Sequence, residues 1–568
     1  MDTLWEIIGF ANDILWHDFV LYALIAVGLL FTIWSRFCQY RALTHGTAVV
    51  RGKYDHESDP GAINHFQALS AALSATVGLG NIGGVALAIG LGGPGAVFWM
   101  WVVGVLGMAI KMTEVSLSML YRNTDDPDNP HGGPMWVAKQ GFQELGLGGV
   151  GKAIGGIFCI TLLASTVTGG AMFQAWNTAD VTEIYFDVPT IVTGIIMAGI
   201  VGVVIIGGIK RIGAAAGRIV PFMCVAYLIA ALYVIITRIE DVPGVFRLIF
   251  TSAFSPTEAQ GAFIGGAFGY AFYAGMKRAL FSSEAGQGSS PIAHSAAKTD
   301  EPIREGVVAG LEPFIDTIVV CSLTSFVILL SGVWNREPEV KFADTPQVVQ
   351  VEGGWALAPM TLPEREDEPW AEGDDVFVIL EGSADSDDTG NKLLKLEGEL
   401  HRTEGGLRVD WIPVENEGTP RVHSEGMYAT YTGATMTAKA FDAVEDGLGK
   451  WLVTLAAWLF ALSTMISWSY YGEQGIVYLF GDKAVLPYKA VFCLLVVVSC
   501  IGFIETDQQL DTLTTLGTGV MLFANVPIMI LFGKKAMSAY HTYMAKLKSG
   551  EMKPHSAPPI QDIIEGRD

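Results

Sequence analysis

Eleven apolar segments, each close to 20 residues long, run through this chain of 568 residues. A helix needs about 20 apolar residues to cross the hydrocarbon of a bilayer. The chain is 51% hydrophobic and only 16% charged, and its mean hydropathy is positive. Together these features predict an all-α polytopic membrane protein rather than a soluble one. The predicted spans are 18–36, 66–90, 95–119, 152–177, 190–209, 219–237, 261–281, 306–334, 449–470, 486–504 and 512–533.

Lysine and arginine are concentrated in alternate loops between these spans. The loops at 36–53, 277–304 and 534–548 are basic, whereas the opposite loops are poor in basic residues and hold acidic ones such as Asp180 and Glu505. Basic short loops stay in the cytoplasm. We therefore expect the amino terminus outside and the carboxyl terminus in the cytoplasm, and no cleavable signal peptide is recognised.

A segment between spans eight and nine, residues 335–435, differs from the rest of the chain. It carries 22 Asp or Glu and 8 Lys or Arg, a net charge of −14. Alternating apolar residues at 375–380, 393–397 and 407–412 predict strands. We therefore expect a small β-rich insertion, placed outside by the number of preceding spans. Its acidic stretch lacks the glycine and terminal glutamate of an EF-hand loop, so a solvated acidic surface is favoured over a calcium site.

This composition divides the chain into four parts. They are residues 1–334 (spans one to eight), 335–435 (the insertion), 436–540 (spans nine to eleven) and 541–568 (a cytoplasmic tail). All six cysteines lie in or beside spans, which predicts neither a disulfide framework nor a CxxC metal site. We find no set of residues for catalysis, for a cofactor or for nucleic-acid binding, so an enzyme is not expected.

The second span is interrupted at residues 74–81 by two glycines and small hydroxyl residues. Unpaired backbone groups cost several kcal/mol in a bilayer, so unwound chain persists there only inside the protein or beside a ligand. If the first span is set aside, an inverted repeat of five helices predicts a second break in the sixth of the remaining ten. That helix is glycine-rich at 265–275. The alternative is that these glycines serve only close helix packing.

A broken helix offers two kinds of ligand. The half that begins after Gly78 presents free N–H groups to a carboxylate, and the half before it presents carbonyls to a cation. Ser463 and Thr464 in span nine add hydroxyl oxygens, unless they bond only to their own helix. Asp316 in span eight is the rival group, because coupling to protons needs an ionisable side chain in the membrane. Lys111 and Glu114 suggest a structural pair or a gate.

Three separated motifs resemble the alanine or glycine:cation symporter family. They are residues 72–86, 281–291 and 468–473. The resemblance covers nearly the whole chain outside the insertion. It implies a leucine-transporter-like fold, in which two inverted repeats of five helices follow one extra N-terminal helix. It also implies symport of small neutral amino acids, usually with sodium.

The resemblance assigns roles to individual positions. For the amino acid it implies Thr76, Gly78, Leu79, Gly80, Gln174, Phe268, Gly269 and Trp468, and for sodium it implies Ser74, Val77, Phe460, Ser463 and Thr464. The chain departs from the family at Leu79, where members commonly have a hydroxyl residue, and in carrying the insertion. The first departure leaves the choice of substrate open, and the second suggests an added function.

The leading hypothesis is therefore sodium-coupled uptake of alanine or glycine by alternating access, in the plasma (inner) membrane of a prokaryote. Its expected partners are a small neutral amino acid, sodium and the lipid bilayer. The alternatives are a proton-coupled amino-acid symporter, a membrane receptor or sensor that uses the external insertion, and a channel. The sequence leaves the ion stoichiometry, the stereochemistry of the substrate and the oligomeric state open.

Overall fold

A computed structural model describes most of the chain. The described residues are 9, 11–12, 14–56, 58–255, 263, 269–360, 362–365, 369–384, 391–403, 406–431, 433–501 and 507–566, with the backbone alone at 18 and 507–514.

Helices account for every predicted span, at least in part. They are α1 Asp18–Trp34, α2 Cys38–Val50, α3 His65–Thr76, α4 Gly80–Gly92, α5 Gly95–Leu120, α6 Pro134–Glu144, α7 Gly148–Phe186, α8 Thr190–Ile205, α9 Gly208–Thr237, α10 Val242–Ser252, α11 Tyr270–Ser283, α12 Ser290–His294, α13 Pro302–Ser331, α14 Gly433–Asp442, α15 Leu448–Phe480, α16 Val485–Val498, α17 Asp507–Ser549 and α18 Ile560–Glu565. Among the described residues, six helices are long and apolar enough to cross a membrane alone, and two bent pairs raise the number to eight. Helices α8 and α16, on predicted spans five and ten, are shorter than a full crossing.

The two bent pairs differ in cause. Helices α1 and α2 meet at 66° because Arg36 and Phe37 adopt left-handed backbone angles, and the Phe37 N–H closes the end of α1 on the Thr32 carbonyl at 2.8 Å. Helices α3 and α4 meet at 55° at the break predicted in span two. Among the described residues, π-helical segments occur at Ala42–Gly46, Gly80–Gly84, Thr168–Met172 and Phe314–Cys321.

The insertion forms the predicted β structure. Its strands are β1 Val340–Lys341, β2 Val348–Val351, β3 Gly354–Leu357, β4 Asp375–Glu381, β5 Leu393–Thr403, β6 Gly406–Trp411, β7 Arg421–Val422 and β8 Gly426–Ala429. The main sheet has the order β1-β8-β4-β5-β6, with β7 also paired to β4, and all of its pairs are antiparallel. Val376, Val378 and Leu380 alternate along β4 into its core. The predicted class, all-α polytopic with a β-rich insertion, is confirmed.

The two ends of the insertion meet beside the membrane helices. Val340 in β1 pairs with Met427 in β8, so the module leaves and re-enters at one place. Arg336 donates from Nε to Glu339 at 2.8 Å, and the other oxygen of that carboxylate accepts the Ala429 N–H at 2.8 Å. Helix α14 follows directly and packs on α4, so the module is joined to the second half of the broken helix.

Candidate binding site

The break in span two has a defined geometry. Helix α3 ends at Thr76, Val77 is extended (φ −78°, ψ 91°), and helical structure resumes at Gly80 as a π-helical segment. The Gly78 N–H donates to Asn81 Oδ1 at 2.9 Å. A Cβ at position 78 would lie 2.9 Å from Thr464 Oγ1, so a side chain there would displace the Thr464 hydroxyl. Gly78 thus permits a close approach of the Thr464 side chain on α15.

Four of the five predicted sodium ligands are joined by hydrogen bonds where α3 crosses α15. Ser74 Oγ donates to the Ser463 carbonyl at 2.7 Å, and Thr464 Oγ1 donates to the Ser74 carbonyl at 3.0 Å. Ser463 Oγ donates to the Phe460 carbonyl at 2.9 Å. Val77, the fifth, is fully buried three residues beyond Ser74. The structure therefore brings together buried hydroxyl and carbonyl oxygens from two helices, which is the ligand chemistry of a hard cation.

Glutamine 174 lies beside the break. Its Oε1 atom is 3.5 Å from the position of a Cβ on Gly78, and its Nε2 donates to the Gly169 carbonyl at 3.1 Å. Oε1 itself is buried without a hydrogen-bond partner among the described residues. A buried acceptor of this kind is costly unless something donates to it. Asn177, one turn further along the same helix, differs from Gln174 because its amide group donates to the Phe173 carbonyl of its own helix.

The remaining predicted substrate residues are buried at or near the break, and they differ in what they contact. Leu79 is buried, and Thr76 is buried with Oγ1 3.4 Å from carbonyls of its own helix. A Cβ at Gly80 would lie 3.2 Å from the ring of Phe281. The Trp468 side chain covers Gly170, in the π-helical segment of α7. The site is therefore narrow at every described wall.

The second predicted break is described only from Gly269 onward, and Phe268 lies outside the described residues. Gly269 has φ +102° and precedes the first residue of α11, Tyr270. That angle favours glycine. The helix of span seven therefore begins directly after a backbone position that is not itself helical.

The sequence placed Asn81 within the break but did not predict that Asn81 and Ser282 would contact Asp316. Asn81 Nδ2 donates to the Asp316 carboxylate and to Ser282 Oγ at 3.1 Å. Ser282 donates in turn to Asp316 at 2.6 Å, and Thr317 donates to it at 2.8 Å. The fully buried carboxylate of Asp316 is thus linked through Asn81 to the Gly78 N–H. An asparagine directly after the two glycines was the available signal.

Comparison with known proteins gives concordant similarities. A model of the family described as "Sodium:alanine symporter family" matches residues 1–362 and 421–557, so residues 363–420 of the insertion lie outside the match. The chain is 34% identical over 489 residues to "Sodium/alanine symporter AgcS" of Methanococcus maripaludis, covering 86% of each chain. It is 37% identical over 354 residues to "Amino-acid carrier protein AlsT" of Bacillus subtilis, covering 62% of this chain and 72% of that one.

Among solved structures, the chain is similar to MhsT in complex with L-phenylalanine. The two share 13% sequence identity at a TM-score of 0.47, over 89% of this chain and 96% of that one. The family match, the helices and the broken span together confirm the predicted class of polytopic helical transporter.

Proposed function

Because the chain belongs to the sodium:alanine symporter family, a family of transporters and not of enzymes, we propose that it couples sodium entry to uptake of a small neutral amino acid, alanine or glycine, by alternating access. One observation carries the proposal. Just before the break of span two, the Thr464 hydroxyl donates to the Ser74 carbonyl and the Ser74 hydroxyl donates to the Ser463 carbonyl, in a buried place built from two different helices.

Sodium fits this set of ligands. We propose the carbonyls of Ser74, Val77 and Phe460 and the hydroxyls of Ser463 and Thr464 as its five oxygens, since each is neutral and a monovalent cation needs no carboxylate. An ion held there ties α3 to α15. Because α3 ends in the substrate site, bound sodium favours the conformation that binds substrate, and each ligand raises the affinity of the other by the same factor.

The amino acid is proposed to bind at the break itself. The backbone from Thr76 to Gly80 receives its carboxylate at the positive end of α4. The unpartnered Oε1 of Gln174 accepts from its ammonium group, while Phe268, Gly269 and Trp468 close the remaining sides. The ring of Phe281 lies beside Gly80 and is proposed to limit the space for the substrate side chain, which would favour alanine or glycine.

The sodium assignment is tested by removing both hydroxyls, Ser463→Ala with Thr464→Ala, and measuring uptake of external labelled alanine by proteoliposomes. We expect sodium-dependent uptake to fall at least about 30-fold, because two of five ligands are lost, each worth about 1 kcal/mol or more. Thr454→Ala is the matched control, since its hydroxyl bonds only to the Lys450 carbonyl in the same helix. Uptake in the double variant that still needs sodium would refute the assignment.

Proton coupling is the second candidate, and Asp316 is the observation that favours it. The carboxylate is fully buried and is connected through Asn81 to the Gly78 N–H in the proposed substrate site. Counterflow with sodium, with lithium or with a proton gradient alone separates the two candidates. Accumulation driven by the proton gradient alone, and lost in Asp316→Asn, would replace sodium by the proton as the coupling ion.

The topology completes the proposal. We place the amino terminus and the 335–435 module outside and the carboxyl terminus in the cytoplasm of a prokaryotic cell, with domain boundaries as predicted from composition. The basic loops support this orientation. A protease site introduced into the module between Thr403 and Gly406 should be cut in intact cells, and cutting only after lysis would reverse the orientation.

A further inference from the structure

A row of buried ionisable side chains lies at the end of the membrane domain opposite the β module, where α3 begins. Its members are His65 on α3, Glu305 and Glu312 on α13, His294 on α12 and Lys111 on α5. Each of these side chains is at most 1% exposed. Nothing in the proposed coupling of sodium to substrate uses them.

The geometry around His294 favours its charged form. Its Nδ1 faces Oε1 of Glu305, and its Nε2 lies 2.6 Å from Oε1 of Glu312. A carboxylate only accepts, and a neutral imidazole has a single N–H. With both carboxylates ionised, both contacts are hydrogen bonds only when His294 is the imidazolium. The second oxygen of Glu305 faces Nδ1 of His65, so one carboxylate joins the beginning of α3 to the loop helix α12.

Other charged groups surround this row, among them Arg122, whose guanidinium donates to the Ser295 carbonyl, one residue beyond His294, at 3.1 Å. The Lys111 ammonium lies 3.5 Å from Glu312 and 3.5 Å from Glu114. On the remaining sides are Asp55, 3.7 Å from Nε2 of His65, and Glu284, whose carboxylate accepts from Ser289. Asn525 on α17 donates to Glu114 at 3.0 Å, and Tyr471 on α15 interacts electrostatically with Glu284, Glu312 and Glu114.

Buried polar atoms without partners lie between the proposed sodium site and this row. Ser467 is one helical turn beyond Thr464 on α15, and Tyr471 is one turn further toward the carboxylates. Ser467 Oγ and the Tyr471 hydroxyl are buried and have no hydrogen-bond partner among the described residues. Such groups are costly when dry. A second conformation in which water reaches them would satisfy them.

We propose that His65, Glu305, His294 and Glu312 form a proton-operated latch, which closes the path from the binding site to the cytoplasmic face and opens when His294 loses its proton. The inference rests on the alternating access proposed above. In the latched state the beginning of α3 is tied to α12 and α13. When His294 loses one proton, it can donate to only one of the two carboxylates, Glu305 or Glu312. The connection from α12 through Glu305 to α3 is then weaker.

The direction of the pH dependence follows from His294. Burial alone would lower its pKa, but the carboxylates of Glu312 and Glu305 raise the pKa from the ordinary 6.5 to about 9. A raised pKa means that the latched state binds the proton more tightly than a hydrated, open state does. The stabilisation of the latch is therefore complete below about pH 6.5 and is lost as the pH rises through about 9. Opening at neutral pH releases this proton.

The test is the accessibility of a cysteine at Ser467→Cys in the full-length protein, reconstituted in nanodiscs so that both faces meet the reagent. Modification by a charged maleimide is followed at that peptide by mass spectrometry. At pH 7.5 we expect His294→Gln to raise the rate at least about 10-fold, since it removes one of the two donors that close the latch. His401→Gln is the matched control, because His401 faces Glu399 at 3.7 Å on the surface of the β module. It should change the rate less than about two-fold.

A pH series on the single Ser467→Cys protein keeps the proposal testable if His294→Gln does not fold. The rate, divided by that of an exposed cysteine at Ser549→Cys, should rise between pH 8 and 10 as His294 loses its proton. A flat ratio, or an unchanged rate in folded His294→Gln, would overturn the latch. Labelling needs no transport, so a protein without sodium-driven uptake but with the pH-dependent ratio would contradict the proposed function and support the latch.

Discussion

The two ends of the broken helix are closed by different chemistry. Beside the β module, α14 lies on α4 through a backbone contact and one neutral hydrogen bond: a Cβ at Gly83 would meet the Ala434 nitrogen at 3.0 Å, and Thr437 Oγ1 donates to the Ile82 carbonyl at 3.0 Å. At the opposite end, α3 is held by carboxylates, imidazoles and an ammonium group, all buried.

We call the contact of α14 with α4 and the charged cluster at the beginning of α3 the two closures. Their different chemistry determines whether each one depends on pH. A contact of small residues depends on shape and is insensitive to pH between 5 and 10, because no group in it titrates there. A buried cluster of charges depends on protonation, and removing one member leaves its partners uncompensated. We therefore expect alternating access in this protein to be opposed by steric fit on one side and by charge pairing on the other.

The largest effect is expected from Lys111→Met. The substitution removes the cation that lies 3.5 Å from both Glu114 and Glu312 and leaves the two carboxylates facing each other in a buried place. We expect a loss of about 3–5 kcal/mol in the free energy of unfolding. Thermal unfolding in detergent measures it. The control Lys341→Met breaks the exposed pair with Glu425 and should cost at most about 1 kcal/mol. Equal melting temperatures for the two variants would show that the charged closure does not stabilise the protein.

The next largest effect is expected at the other closure, from Gly83→Val. The added side chain pushes against the backbone of Gly433 and Ala434 and separates α14 from α4. Overpacking of this kind costs about 1–3 kcal/mol, so we expect the sodium concentration for half-maximal uptake to rise about 10-fold, at every pH alike. Gly149→Val is the control, since nothing lies within 4 Å of a Cβ at that position. A shift that varied with pH would remove the contrast between the closures.

The sequence predicted the break and the crossing helix because the residue types are dictated locally. A close approach needs glycine at position 78, and a neutral oxygen site needs hydroxyls such as Ser463 and Thr464. The strands of the insertion follow from alternation in the same way. The end of α17 did not follow, since the helix continues to Ser549 through polar residues that hydropathy assigns to a tail.

The rest of the site depends on contacts between distant residues. Asn81 and Asp316 are 235 residues apart, and nothing in either segment shows that they will meet. The latch was even harder to predict, because in the sequence His65, His294 and Glu305 each look like an ordinary charged residue at the end of a span. The π-helical segments were also missed, since one additional residue per turn leaves the apolar pattern of a span unchanged.

A smaller effect is expected from Thr437→Val, which keeps the shape of the side chain and removes the hydrogen bond to the Ile82 carbonyl. The expected loss is about 1 kcal/mol, or about five-fold in the sodium concentration for half-maximal uptake. Thr251→Val, whose hydroxyl bonds only within α10, serves as the control. An unchanged sodium dependence would assign the closure beside the module to backbone packing alone.

The smallest effect is expected from removing most of the β module. Residues 342–425 can be replaced by Asn-Gly, which joins Lys341 to Gly426 through a two-residue hairpin turn, because these residues are already paired in antiparallel register. The contacts of Arg336 and Glu339 with Ala429 remain, as does the packing of α14 on α4. Sodium-driven uptake should therefore stay within about two-fold of the full chain, since few contacts of the closure are lost. If the deletion raises the sodium concentration for half-maximal uptake as much as Gly83→Val does, the module itself holds α14 in place. The closure beside the module would then include more than the small residues that touch the broken helix.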